Sequence, residues 1–177
     1  MRSRYKINED SNLYVITSSI HCFVPVIFND DLFKIILNSL IYCQREKGLN
    51  VYGFVIMPNH MHAIIGYIIN ERIAEVIRDF KRHTSKKISE YLENLKRFNN
   101  LFWIKLFHHQ MKNKVWQEGY HPETIISEGF FRQKLGYIHN NPIEKGYVEK
   151  PEDWKYSSAR NYLLNDNSLM TLDSYNL

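Results

Sequence analysis

His60-Met61-His62 and Tyr137-Ile138-His139-Asn140-Asn141-Pro142 are the two stretches whose residue types and spacing can do chemistry. In a strand, residues i and i+2 project to the same face, so the imidazoles of His60 and His62 stand together while Met61 points away. Two neutral imidazoles side by side are a natural half-site for a divalent metal. Two surface histidines beside a turn would look the same. In a helix, residues four apart are stacked one turn above another, which puts Tyr137 and Asn141 on one face. The phenol is then a potential nucleophile, and the Asn141 amide oxygen a hard ligand suited to Mg²⁺ or Mn²⁺. Pro142 disfavours helical backbone at the residue before it, so Asn141 is expected to turn outward where the helix stops. A core tyrosine followed by an asparagine helix stop fits these residues equally. A third feature is basic: Arg78, Lys81, Arg82, His83, Lys86 and Lys87 line one stretch of helix, along which a phosphate backbone can lie. A solvated helix face fits that run as well. The neighbouring Tyr91, Phe98, Phe102 and Trp103 suit base stacking or plain packing.

The elements that must position these residues can be read from periodicity. Residues 13–20, LYVITSSI, are β-branched and aromatic and predict a strand. A helix is predicted from Asn29 to Glu46, capped by Asn29 or Asp30, with Leu32, Ile35, Ile36 and Leu40 at helical spacing and Gly48 just past its end. Residues 51–57 and 60–67 predict two strands joined through Pro58-Asn59 as a hairpin. A second helix is predicted over 71–90, with Ile73, Val76, Ile77 and Phe80 on one stripe. Residues 92–113 show no clear pattern and read as an insertion. The fourth strand falls within 115–126, weakened by Pro122. Ser127 to Asn140 predicts a third helix, stopped by Pro142, with Phe131, Leu135 and Ile138 buried. A short helix and a polar tail follow from Ser157. The order β-α-β-β-α-β is the split pattern of ferredoxin-like domains. The expected class is therefore α+β: an antiparallel sheet with helices on one face, the other face open to a ligand, and an additional C-terminal helix carrying the tyrosine. Residues 1–163 read as a single domain and 164–177 as a polar tail.

Composition narrows the setting. The chain has 177 residues, 44% of them hydrophobic and 24% charged, which suits one globular domain with its own core. A net charge of +4 tolerates a polyanionic partner without demanding one. Cys22 and Cys43 match no zinc or redox spacing and read as reduced. No apolar run reaches membrane-spanning length, and Met1-Arg2-Ser3-Arg4-Tyr5 lacks a hydrophobic signal core. A cytoplasmic protein with no membrane partner is expected.

Met57-Pro58-Asn59-His60-Met61-His62 resembles the MPNHxH signature of IS200/IS605-type transposases and of their relatives, the REP-associated tyrosine transposases. Three more blocks resemble that family in the same order: Val115 to His121, Tyr137 to Pro142 followed by Gly146, and Pro151 to Ala159. The resemblance runs from about Leu13 to Tyr162. It departs at Ile143 and at Glu144-Lys145, where the family favours valine and small residues. It implies a one-tyrosine HUH endonuclease with Met61 in the bulky middle position and a ferredoxin-like fold. It implies His60, His62 and Asn141 as ligands of Mg²⁺ or Mn²⁺, and Tyr137 as the nucleophile that forms a 5′-phosphotyrosine on single-stranded DNA. The partner it implies is single-stranded or hairpin DNA, with no organic cofactor. Monomers and homodimers are both compatible with it, and Tyr137 is expected to reach the metal from its own chain or from a partner's. The DNA-binding residues expected are Arg78, Lys81, Arg82, Lys86 and Lys87. A non-catalytic nucleic-acid-binding domain of the same fold, or a metal-dependent hydrolase with a structural Tyr137, are the competing readings.

Overall fold

The computed structural model describes residues 13–67, 73–98, 114–119 and 122–174. Its strands are β1 (Leu13–Ser19), β2 (Leu49–Ile56), β3 (His60–Tyr67) and β4 (Glu123–Thr124). Its helices are α1 (Asp30–Lys47), α2 (Ile73–Phe98), α3 (Glu128–Glu144) and α4 (Ala159–Leu164). The strands form one sheet in the order β2-β3-β1-β4, with every pairing antiparallel. This is the ferredoxin-like arrangement that the element order predicts.

Alternation along the strands divides the core in two. Tyr14, Ile16, Phe54, Ile56, Met61, Ala63 and Ile65 face α1 and α2, packing on Leu32, Ile36, Leu40, Val76, Ile77 and Phe80. Leu13, Val15, Val55 and Ile64 face the other way, packing on Phe131 and Ile138 of α3. The face expected to lie open is therefore roofed by the tyrosine helix. Gly53 permits this close approach, because a Cβ there would fall 2.6 Å from Leu135 Cδ1. The ends of α1 follow the local code: Asn29 Oδ1 accepts from Leu32 N–H, and Gly48 stops the helix in left-handed backbone at φ 69°.

Three expectations need correcting. α2 runs to Phe98, beyond residue 90, because Ile88 and Leu92 extend its buried stripe. The fourth strand pairs through only two residues, Tyr14 with Thr124 and Val15 with Glu123. Upstream, Trp116 makes an isolated bridge to Ile20, and Gly119 between them takes φ 78°. The left-handed glycine and Pro122 break what would otherwise be one edge strand. Finally, α3 does not stop at Asn140. It continues through Pro142 to Glu144, and the carbonyl of Asn141 accepts from Lys145 N–H at 3.1 Å. Proline removes only its own N–H donor, and this close to the helix end the disruption is confined to the last turn.

The 151–174 region locks α3 onto the sheet. Ser158 is fully buried, and its Oγ accepts from Phe54 N–H at 2.9 Å while lying 2.9 Å from His139 Nε2 on α3. Ser158→Ala would leave Phe54 N–H without that acceptor, and the expected loss is about 1–3 kcal/mol of stability. An unchanged urea midpoint would contradict it. The stretch that composition marks as a polar tail is docked: Asp173 N–H donates to Val51 O, Asp173 Oδ2 accepts from Val51 N–H, and Met170 is buried in the core. Asp173 thus pairs with β2 at Val51, while Tyr156 and Ser158 pair with the same strand at Ile56 and Phe54.

Candidate active site

His60 and His62 open β3, and their side chains share the α3 face of the sheet. Met61 goes into the opposite core. The two imidazole centroids are 4.9 Å apart. α3 lays its Tyr137–Asn141 face across them. Tyr137 meets His62 edge-to-face at 5.4 Å between centroids, and the Asn141 Oδ1 lies 3.1 Å from His60 Nε2. Tyr137 is 48% exposed, whereas Asn141 is buried. Asn141 reaches His60 from regular helical backbone, by the one-turn offset from Tyr137, and not by the outward turn expected from Pro142.

Each histidine is held by its other nitrogen. His62 Nδ1 lies 2.8 Å from Thr17 Oγ1, and Thr17 is its cross-strand partner on β1. His60 Nδ1 lies 2.7 Å from Asn59 Oδ1, an oxygen identified by Asn59 Nδ2 donating to Phe23 O. A neutral imidazole has one N–H. With His60 donating at Nδ1, its Nε2 lone pair faces the Asn141 amide. A cation between them, or the amide turned to present its NH₂, resolves the clash of lone pairs. Two ligands cis on an octahedron with 2.0–2.2 Å bonds lie about 3 Å apart, so His60 Nε2 and Asn141 Oδ1 fit a hard divalent cation. Second-partner restraint of each imidazole is also the usual arrangement around a metal. Among the described residues no group of three His, Cys, Asp or Glu side chains could hold an ion. A cation held here would therefore need the asparagine amide beside the two imidazoles.

Burial and charge keep the pair neutral. Burial, reinforced by the charges of His60 and Lys134, pushes His62 down to about 3. Burial also lowers His60, against the raising effect of its bond to Asn141. His139, buried between α3 and Ser158, is pushed down to about 4 by burial alone. Neutral imidazole is the ligand form. The sign for stability follows. Unfolded, these histidines take protons near 6.5, and folded they do not. Stability is therefore full above that value and falls as pH drops below it, down to the folded values. At about pH 5, His62 and His139 are each expected to cost about 2 kcal/mol relative to neutral pH. Urea titrations with chelator at both pH values check this; equal midpoints would refute it. Hydrogen bonds to Lys155 and to Ser168 hold the carboxyls of Asp30 and Asp166, respectively, below the usual carboxylate range.

Sequence reasoning missed four residues here. Lys134 and Lys145 share the stripe of α3 that carries Tyr137 and Asn141, at offsets of three, four and four residues, so that signal was present. Both place positive charge close enough to act on the histidines, Lys145 on His60 and Lys134 on His62. Asn59 directly precedes His60 in the turn and was also legible. Thr17 was not, because its role depends on strand register.

The basic helix is placed elsewhere. α2 packs on the opposite face of the sheet from His60, His62 and Tyr137. Arg78, Arg82 and Lys86 line an open groove of about 830 Å³ between α2 and residues 114–119, joined there by Lys114. Lys87 faces α1 across a second groove. Arg78 and Arg82 are paired with Asp79, and Lys86 and Lys87 with Glu90. Lys81 is tied to the protein itself: Nζ donates to Gln117 O at 2.7 Å and to Gly119 O, and burial lowers it to about 8. Trp116 anchors the same segment, its Nε1 donating to Thr84 Oγ1. Of the aromatics expected near this helix, Tyr91 binds Asn29 and Asp31 at the start of α1, while the side chain of Phe98 and residues Phe102 and Trp103 lie outside the described residues.

The chain is similar to known proteins in sequence and in fold. The family model described as "Transposase IS200 like" matches residues 24–141. A curated protein of Haemophilus influenzae named "Putative REP-associated tyrosine transposase" is 27% identical over 108 residues, 58% of this chain and 54% of that protein. The chain thus matches about half the length of that relative. A solved REP-associated tyrosine transposase bound to a REP hairpin superposes with a TM-score of 0.70 at 16% identity, covering 99% of this chain and 92% of that one. At that identity the likeness establishes the ferredoxin-like fold. No described helix is long and apolar enough to cross a membrane. With the family match spanning most of the chain, and including both histidines, the tyrosine and the asparagine, the protein belongs to the IS200-like transposases.

Proposed function

We propose that this chain cleaves and rejoins single-stranded DNA through a covalent bond between Tyr137 and a 5′-phosphate. The observation that carries this is the meeting, within one chain, of Tyr137 with His62 and of Asn141 with His60. Tyr137 Oη attacks the phosphorus, the bond from phosphorus to the 3′-oxygen breaks, and the phenol proton is balanced by the proton taken up at the released 3′-hydroxyl. A 3′-hydroxyl attacking the phosphotyrosine reverses the step and rejoins a strand, so no ATP is consumed. His60, His62 and Asn141 would hold a divalent cation, Mg²⁺ or Mn²⁺, which when bound would supply Lewis-acid activation of the phosphate. Thr17 and Asn59 fix the imidazoles, and Lys145 would favour the phosphate electrostatically, while Lys134 is paired with Glu123 at 2.6 Å. The meeting of these residues within one chain supports Tyr137 acting on the histidines of its own chain.

Among the described tyrosines, two others that flank the end of α3 and the segment after it are engaged elsewhere. Tyr156 is buried and stacked on Phe33 at 4.4 Å, and Tyr147 packs against Trp154. The solved neighbour is bound to a REP hairpin, which supports hairpin DNA as the substrate class. The cations of the α2 groove, Arg78, Arg82 and Lys86 with Lys114, would hold DNA that passes round the β4 edge of the sheet, and Lys87 would act from the far side of α2. Lys81 would act indirectly, by holding the 117–119 segment. The test is covalent trapping: hairpin oligonucleotides with single-stranded flanks, in Mg²⁺ or Mn²⁺, followed by mass spectrometry of the labelled peptide. Label at Tyr137 supports the reading. Cleavage with no adduct points to hydrolysis by water, and binding without cleavage to a non-catalytic DNA-binding domain.

A further inference from the structure

The loop after β1 holds an unusual conformation. Cys22 and Phe23 are consecutive non-glycine residues in left-handed backbone, at φ 55° and 54°. Side chains disfavour this region, and such strain persists only where the surroundings enforce it. Here they do. Ile20 N–H donates to Asn59 O at 2.8 Å, His21 N–H to Val115 O at 2.8 Å and Ile27 N–H to Pro58 O at 3.0 Å. The loop is thereby clamped on the Pro58-Asn59 turn that leads into His60. What the strain achieves is not burial, since the Phe23 ring is 59% exposed. Asn59 links the two features directly: its Nδ2 donates to Phe23 O at 3.2 Å, and its Oδ1 holds His60 Nδ1 at 2.7 Å. One asparagine therefore sets both the ligand histidine and the backbone that presents an exposed aromatic ring.

We infer that Phe23 is a stacking platform for a single unpaired base next to the phosphate held at His60 and His62. This rests on the DNA reading above. The chemistry suits it: every base has a π-face, so a rigid aromatic ring fixes where the strand lies without selecting its sequence. The ring is a positioning residue that sets which phosphate reaches Tyr137.

The test reads binding alone, in a Tyr137→Phe background, so it can fail while covalent chemistry stands and stand where trapping fails. The probe is a DNA hairpin with single-stranded arms, carrying one abasic site moved along each arm in turn. Phe23→Ala is expected to weaken binding by about 5- to 150-fold. An abasic site at one or two arm positions should cost the parent protein a similar factor yet cost Phe23→Ala nothing further. Phe23→Trp should restore binding, and Phe23→Leu should not. Phe23→Gly should raise the melting temperature by relieving the strained backbone while still weakening binding, a combination that a purely structural role does not produce. The inference is overturned if Phe23→Ala binds within about twofold of the parent, or if its loss adds fully to the abasic loss at every position.

Discussion

Tyr137→Phe is expected to abolish adduct formation and to slow cleavage by at least on the order of 10⁴-fold, with fold and DNA affinity retained. The substitution removes one oxygen. The ring edge against His62 and the helical backbone around it remain, and the side chain is about half exposed, so little packing is lost. Melting temperature and hairpin binding therefore serve as internal controls. The measurement is single-turnover cleavage of a labelled hairpin oligonucleotide, with the denatured reaction run on a gel to reveal adduct. Cleavage by the phenylalanine protein within about tenfold of the parent would remove Tyr137 from the chemistry and leave water as the nucleophile.

The second large effect is expected at the histidines. His60→Ala combined with His62→Ala should remove cleavage and leave most DNA affinity, because affinity comes mainly from phosphate contacts made by lysine and arginine. A readout independent of activity exists. A cation that binds only the folded protein stabilises it by mass action, about 2.7 kcal/mol at a hundred times its dissociation constant. Added Mn²⁺ should raise the melting temperature of the parent and leave that of the double variant unmoved. Since His62 is buried, His62→Gln serves as a companion that keeps the volume. Thr17→Val and Asn59→Ala, which touch no ligand atom facing the cation, should weaken metal affinity by about 10–100-fold through loss of ring orientation. Equal Mn²⁺ stabilisation in parent and double variant would end the metal assignment.

Much of the arrangement was legible before any coordinates. The period-two pattern of β3 placed His60 and His62 together and Met61 in the core, because strand alternation is a local property. The ends of α1 were readable for the same reason, Asn29 and Gly48 acting within a few residues of the backbone they satisfy. The Tyr137–Asn141 offset was right, and the separate argument from Pro142 was not. Pro142 was expected to end the helix and free Asn141. The helix instead runs through it, and the one-turn spacing alone brings the amide to His60. Overall charge was compatible with a polyanion without demanding one, and it could not tell which face of the sheet would meet it. α2 carries its cations on the side away from the tyrosine, and Lys81 is turned inward onto the 117–119 carbonyls.

The sequence by itself determined the elements, their order, the pairing of the two histidines and the face shared by Tyr137 and Asn141. These depend on neighbours one to four residues away. Only the tertiary structure decided that α3 roofs the second face of the sheet, that Thr17 holds His62, that Asn59 serves both His60 and Phe23, and that Ser158 ties His139 to β2. Those contacts join residues far apart in the chain, and apart from the turn that pairs Asn59 with His60 no local rule specifies them. They follow from strand register and from the closeness with which α3 can approach at Gly53.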